Sequence, residues 1–444
     1  MTTINQISPI DGRYSKSTKD LSIFFSEASL IRYRIKIEIY YFIELCKVIP
    51  NLKKIKKTKL REVEKIYLNV SDKDILKLKK IEKKINHDVK AVEYFIKEKF
   101  NEIGLKNYVE FIHFGLTSQD INNTASPLLF KDSLEKNIYP LLNSLINKLD
   151  ELVQKWKNIP MLARTHGQAA SPTKLGKEVK VFSSRIKNQY SFLKKIPHCG
   201  KFGGATGNLN AHYVSYPKID WHKFSKKFLN NFGLSRSYPT TQIEHYDNLA
   251  NQLDTIKRIN TILIDLNRDF WTYISIDYFK QIVSKKEVGS SAMPHKINPI
   301  DFENSEGNLG VANALLSHLS EKLPISRLQR DLTDSTVMRN LGVPISHSFI
   351  SYKNLLKGLN KLLVNEQKIK EDLSNNWLVV SEGIQTILRR EGFEKPYELL
   401  KGLTRNNNKI GELEIKNFIN SLKVNKKVKE ELLKIKPENY TGKV

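Results

Sequence analysis

The chain has only two cysteines, Cys46 and Cys199, among 444 residues. That argues against a disulfide framework and fits a reducing, cytoplasmic compartment. No apolar run approaches the ~18 residues that a membrane helix needs. The start, Met1-Thr2-Thr3-Ile4-Asn5-Gln6, has neither a basic nor an apolar stretch, so no signal peptide is expected there. Zinc-ligand spacings, RNA-binding sheet motifs and helix-turn-helix patterns are missing. No repeat of 20–50 residues is visible. The stretch Gly200-Lys201-Phe202-Gly203-Gly204-Ala205-Thr206-Gly207 lacks the Walker pattern and the strand–loop–helix context of a dinucleotide site. It reads as a bent connection with backbone N–H groups available. Acidic residues are few: 47 against 73 Lys and Arg, a net charge of +26. The excess is scattered over most expected helices, with local clusters at Lys53-Lys54-Ile55-Lys56-Lys57 and Lys83-Lys84. It reads as solvated helix faces rather than a nucleic-acid surface. The positive field would still draw in an anionic substrate.

What is abundant is helical periodicity. Leu175, Val179, Phe182, Ile186, Tyr190 and Leu193 step by three and four, one apolar stripe of a long helix. Leu249, Leu253, Ile256, Ile259, Leu263, Leu266, Phe270 and Ile274 continue the pattern in the next long segment. A third helix is expected from about 127 to 156, kinked by Pro140. A fourth follows Pro299, where Gly307 and Gly310 would let another backbone approach closely. Long helices with narrow stripes pack as a bundle. The expected fold is all-α, in three parts: 1–112, 113–365 with the long helices, and 366–444.

Polar residues concentrate in a few segments. Gly289-Ser290-Ser291-Ala292-Met293-Pro294-His295-Lys296-Ile297-Asn298-Pro299, with Glu303 beyond it, joins a turn, a cation, an amide and a carboxylate, as a loop carrying polar chemistry would. Asn86-His87-Asp88 precedes Val89, with Asn86 able to cap a helix and His87 in its first turn. Thr117-Ser118-Gln119-Asp120-Ile121-Asn122-Asn123-Thr124 holds more hydroxyl and amide groups than capping explains, and suits a carboxylate or phosphate cradle. His166 lies between polar neighbours and before Gly167, off any apolar stripe, where a carboxylate partner would fix its tautomer. Arg327, Arg330 and Arg339, interspersed with Asp331, Asp334, Ser335 and Thr336, suit bidentate phosphate or carboxylate recognition.

In this order the segments resemble the fumarase/aspartase superfamily. Ser8-Pro9-Ile10-Asp11-Gly12-Arg13-Tyr14, Thr165-His166-Gly167-Gln168, Thr241-Gln242-Ile243-Glu244 and Glu394-Lys395-Pro396-Tyr397 narrow the resemblance to the bacterial-type adenylosuccinate lyase family. It covers nearly the whole chain. It implies a central helix bundle completed by a homotetramer, and active sites shared by three subunits. It implies β-elimination of fumarate from adenylosuccinate and from the carboxamide intermediate SAICAR, with no metal or redox cofactor. By the resemblance Ser290 rather than Ser291 is the general base and His166 the general acid, with His87, Lys296 and Glu303 assisting. Substrate contacts would come from Arg13, Tyr14, Asn86, Asp88, Thr117, Ser118, Gln242, Ser291, Asn298, Asn304, Arg330, Ser335, Thr336 and Arg339. Lys174 and His245 depart from the family pattern. An alternative is another fumarate-releasing lyase, acting on argininosuccinate or aspartate. The Arg-rich segment and Asp11-Gly12-Arg13-Tyr14 favour a nucleotide.

Overall fold

The computed structural model describes residues 5–282, 293, 296–405 and 410–443, with the side chains of Thr404 and Arg405 left aside. Helices dominate them; the strands are few and short. No helix among them is long and apolar enough to cross a membrane. The chain divides into two compact units. One comprises Met1–Leu142, Gln189–Thr261 and Gly307–Lys353; the other comprises Asn143–Asn188, Ile262–Glu306 and Asn354–Val444.

The core of the first unit forms around the Glu27–Val48 helix, whose Ile31, Ile35, Phe42 and Leu45 are buried. The Ser26 side chain starts that helix by accepting from the Ser29 N–H at 3.2 Å. The Asp88–Glu102 and Ser118–Ser133 helices share its core. Tyr41, Phe202 and Phe228 add aromatic packing, with centroids 5.3 Å and 4.8 Å apart along the series. Cys46 is buried here, which pushes its thiol up to about 12.

The expected helix at 127–156 starts earlier, at Ser118, and encloses Pro127. The polar Ser118–Thr124 segment is thus its first two turns rather than a preceding loop. A π turn at Leu134–Ile138 then separates it from the Tyr139–Trp156 helix. Pro140 has no N–H to donate, so the regular bond pattern fails on its N-terminal side. The periodic stripes become the Leu175–Leu193 and Asp247–Ser275 helices, and the helix after Pro299 is Ile300–Lys322.

In the second unit Trp156, Phe270 and Phe302 pack together, with centroids 6.5 Å and 5.8 Å apart in turn. Leu162 joins Leu373, Ile384, Leu388, Ile415 and Leu432 in a separate core that holds the C-terminal helices.

Candidate active site

A cavity of about 600 Å³ opens in the first unit. Two helix starts border it. His87 is itself the N-cap of the Asp88–Glu102 helix, and its Nδ1 accepts from the Lys90 N–H at 3.1 Å. In the neutral ring Nε2 therefore carries the hydrogen and is a donor. Asn86, expected to cap this helix, instead closes the preceding one in a left-handed conformation, φ 51°. Ser118 opens the second helix. Helix starts and their N–H groups favour an anion.

Three arginines line the same cavity. Arg34, almost fully buried, donates to Asp88 at 2.7 Å and to Asn122 at 2.9 Å. Burial alone would raise the Asp88 carboxyl, but Arg34, the Val89 N–H and Arg339 outweigh it and hold it below the ordinary range. Arg339 reaches Asp88 and Glu27, each at 3.3 Å. Arg330 donates to the Gln242 side chain at 3.0 Å. Phe24, Phe25, Leu30 and Leu129 give the cavity an apolar wall. Asn86, His87, Asp88, Ser118, Arg330, Ser335 and Arg339 are thus brought together. Arg13, Tyr14, Thr117 and Thr336 do not line the cavity, and Gln242 meets it only through Arg330. Arg327 is largely exposed and pairs with Asp331 at 3.1 Å, as a solvated ion pair would.

Sequence reasoning missed Arg34, Lys201 and Tyr246. Arg34 had a signal, a cation among Ile31, Ile35 and Ile37, with Glu38 one turn on. Lys201 is fully buried and donates to the equally buried Asp120 at 2.7 Å. Asp120 also accepts from the N–H groups of Gly203 (2.8 Å) and Gly204 (3.1 Å). These two amides of the Gly-rich stretch are therefore taken, not available as expected. Tyr246 receives from Asn123 at 2.7 Å and donates to buried Asp334 at 2.9 Å, which Gln119 also meets at 3.5 Å.

The remaining site residues belong to the second unit. Strands Pro160–Thr165 and Gln168–Lys174 form an antiparallel hairpin in which Thr165 faces Gln168 and Lys174 faces Pro160. His166 and Gly167 make its two-residue turn with φ 52° and 75°, the left-handed pair that such a turn requires. His166 is therefore exposed at a tip, and no carboxylate partner for it is among the described contacts. Arg164 reaches Asp372 at 3.4 Å, and Ser171 bonds Glu382, which tie the hairpin to the C-terminal helices. Glu303 is in the first turn of the Ile300–Lys322 helix and accepts from Trp271 at 3.1 Å. Asn304 accepts from Asn354 at 2.5 Å. Lys296 is exposed and Asn298 half-buried, while Ser290 and Ser291 lie outside the described residues.

The family profile described as "Lyase" matches residues 12–313, and that described as "Adenylosuccinate lyase C-terminal" matches 326–441. An adenylosuccinate lyase of Dictyostelium discoideum is 58% identical over all of this chain and 97% of its own length. The chain belongs to the adenylosuccinate lyase family. An adenylosuccinate lyase of Escherichia coli K12 is 45% identical, over all of this chain and 98% of its own. A fumarate lyase from Mesorhizobium shares the fold of this chain at a TM-score of 0.76 and 17% identity, covering 96% of this chain and 95% of its own. A 3-carboxy-cis,cis-muconate lactonizing enzyme from Pseudomonas putida does so at 0.75 and 18%, covering 96% and 94%.

Proposed function

We propose that this chain cleaves adenylosuccinate to AMP and fumarate, and SAICAR to AICAR and fumarate, in purine nucleotide biosynthesis. Beside the family membership, the observation that carries the reading is the cavity: two helix starts and three guanidinium groups around an apolar wall. That arrangement suits a molecule with an anionic phosphate and carboxylates at its ends and a flat ring between them. Asn86, His87, Ser118, Ser335, Arg330 and Arg339 would hold it there, with Gln242 backing Arg330. Asp88, already paired to Arg34, would orient Arg339 rather than meet an anion. Arg13, Tyr14, Thr117, Ser291 and Thr336 keep their assigned contacts in this proposal, as do Asn298 and Asn304.

Elimination removes a proton from the carbon beside a carboxylate. The C–H electron pair forms the new C=C bond, and the C–N pair leaves with the substrate nitrogen, the exocyclic amino nitrogen of the purine in adenylosuccinate or the carboxamide nitrogen in SAICAR. Ser290 would take the proton, and Lys296 and Asn298 would hold the carboxylate as charge spreads into it. His166 would protonate the departing nitrogen, with Glu303 orienting it. His87 would donate through Nε2 to the phosphate.

The same proposal includes a cytoplasmic homotetramer with sites shared between subunits, no nucleic-acid partner, and the division into parts 1–112, 113–365 and 366–444. Support for assembly comes from the Ile300–Lys322 helix. A Cβ added at Gly307 or Gly310 would meet nothing within 4 Å, and Val311 beside them is 48% exposed. That face is open to another backbone.

Purified protein should release fumarate from adenylosuccinate but not from argininosuccinate or aspartate. Release from either of the latter alone would overturn the specificity. Ser290→Ala should bind substrate yet lose turnover, and near-normal rates would remove Ser290 as the base.

A further inference from the structure

The Asp120 carboxylate is saturated. Its Oδ1 accepts from Lys201 Nζ at 2.7 Å, Gly203 N–H at 2.8 Å and Gly204 N–H at 3.1 Å. Its Oδ2 accepts from Thr117 N–H at 2.8 Å and Gly204 N–H at 3.1 Å. Lys201 Nζ in turn donates to the Gly204 carbonyl at 2.5 Å. Gly204 is thus held at both of its peptide groups, by the anion at its N–H and the cation at its C=O. Its φ is +74°, a region where nothing intrinsic to the residue fixes the chain. The next carbonyl, Ala205, accepts from the Gln242 side chain at 2.9 Å, and Gln242 accepts from Arg330 at 3.0 Å. All these links lie within the first unit.

We infer that the buried Asp120–Lys201 pair is a positioning device for substrate binding, which aims Arg330 through Gly204, Ala205 and Gln242 while fixing the helix start at Thr117–Ser118. The inference rests on the proposal that Arg330 and Ser118 hold the substrate. Apolar groups often replace a buried ion pair without loss of stability, but Asp120 also satisfies the Thr117, Gly203 and Gly204 N–H groups, so KM rather than stability separates positioning from folding. An apolar pair cannot orient two peptide groups at once. Asp120 and Lys201 touch no reacting atom. Their effect passes through the groups they hold.

The test is the double variant Asp120→Asn with Lys201→Met, compared with Arg330→Ala. Thermal unfolding reports folding; steady-state kinetics with adenylosuccinate separate KM from kcat. A displaced binding group weakens substrate capture, so the double variant should raise KM by ~10-fold or more. The chemical step should hold, with kcat within about threefold of wild type. Arg330→Ala should raise KM less in the double variant than in wild type, since the pair already acts in part through Arg330. A folded double variant with unchanged KM, where Arg330→Ala raises it, overturns the inference and leaves the substrate reading standing. An unchanged KM in Arg330→Ala overturns the place of Arg330 in substrate binding, on which the inference rests, and leaves the reaction itself standing. Should the double variant not fold, Gly204→Ala serves, because it disturbs the same peptide and keeps both charges. A folded Gly204→Ala protein with unchanged KM also overturns the inference.

Discussion

At the scale of single residues, His87 combines two tasks that substitution can separate. Its Nδ1 caps a helix and its Nε2 is left for a ligand. Asn keeps a cap acceptor and loses the imidazole. His87→Asn should therefore retain wild-type stability and lose activity, while His87→Ala should lose both, with about 1 kcal/mol of stability going with the cap. Unfolding curves and fumarate release from both variants check this. If His87→Asn is as active as wild type, the ring serves only as a cap. Other histidines shape the pH dependence of stability, with His198, His212 and His347 lowered by burial and His113 raised. His212 is fully buried, accepts no proton readily, and is held down at about 4 by burial. Its unfolded form takes a proton near 6.5, so stability falls as pH drops from 6.5 towards 4, by about 3 kcal/mol in all. His113 has the opposite sign. Burial lowers it, but Glu38 at 2.5 Å outweighs burial and raises it. Its stabilisation is full below the unfolded value and is lost as pH rises through the folded one. The contributions of His212 and His113 together are largest near pH ~6.5, where neither has yet been lost. Thermal unfolding of His113→Gln across pH 5–9 should show a flatter alkaline side; an unchanged slope would remove His113 as its cause.

At the scale of elements, the helices were legible because stripes at three and four residues survive into burial at Leu175, Val179, Ile186 and Leu193. The early start at Ser118 was not, because Gln119, Asp120, Asn123 and Thr124 are buried polar residues that break the stripe. They are buried because each finds a partner in a distant segment or one turn away, such as Asp120 with Lys201, Asn123 with Tyr246, and Thr124 with the Asp120 carbonyl. Distant pairing leaves no periodic trace. Several residues that line the cavity were readable from clustered polarity, but the buried Lys201 was not, since a lysine beside a glycine ordinarily faces water. The Gly-rich stretch gives an element-scale prediction. A Cβ at Gly207 would lie 2.0 Å from the Thr240 carbonyl oxygen, and its φ is +84°. Gly207→Ala should cost at least ~3 kcal/mol and displace the Thr240–Gln242 segment. A melting temperature equal to wild type would mean that segment yields freely.

At the scale of the whole molecule, His166 sits on one compact unit and the cavity on the other. Mixing inactive Ser290→Ala and His166→Ala subunits tests whether sites are built from several chains. Recovered activity is the expected result, and none after verified subunit exchange would mean that each site is made by one chain. Cys46 allows a different kind of observation. Its thiol is almost wholly shielded and so weakly acidic that essentially no thiolate exists at neutral pH. An alkylating reagent can reach it only while the first unit's core is open. The labelling rate of Cys46 is therefore a clock, built into the native sequence, that times how often this core breathes.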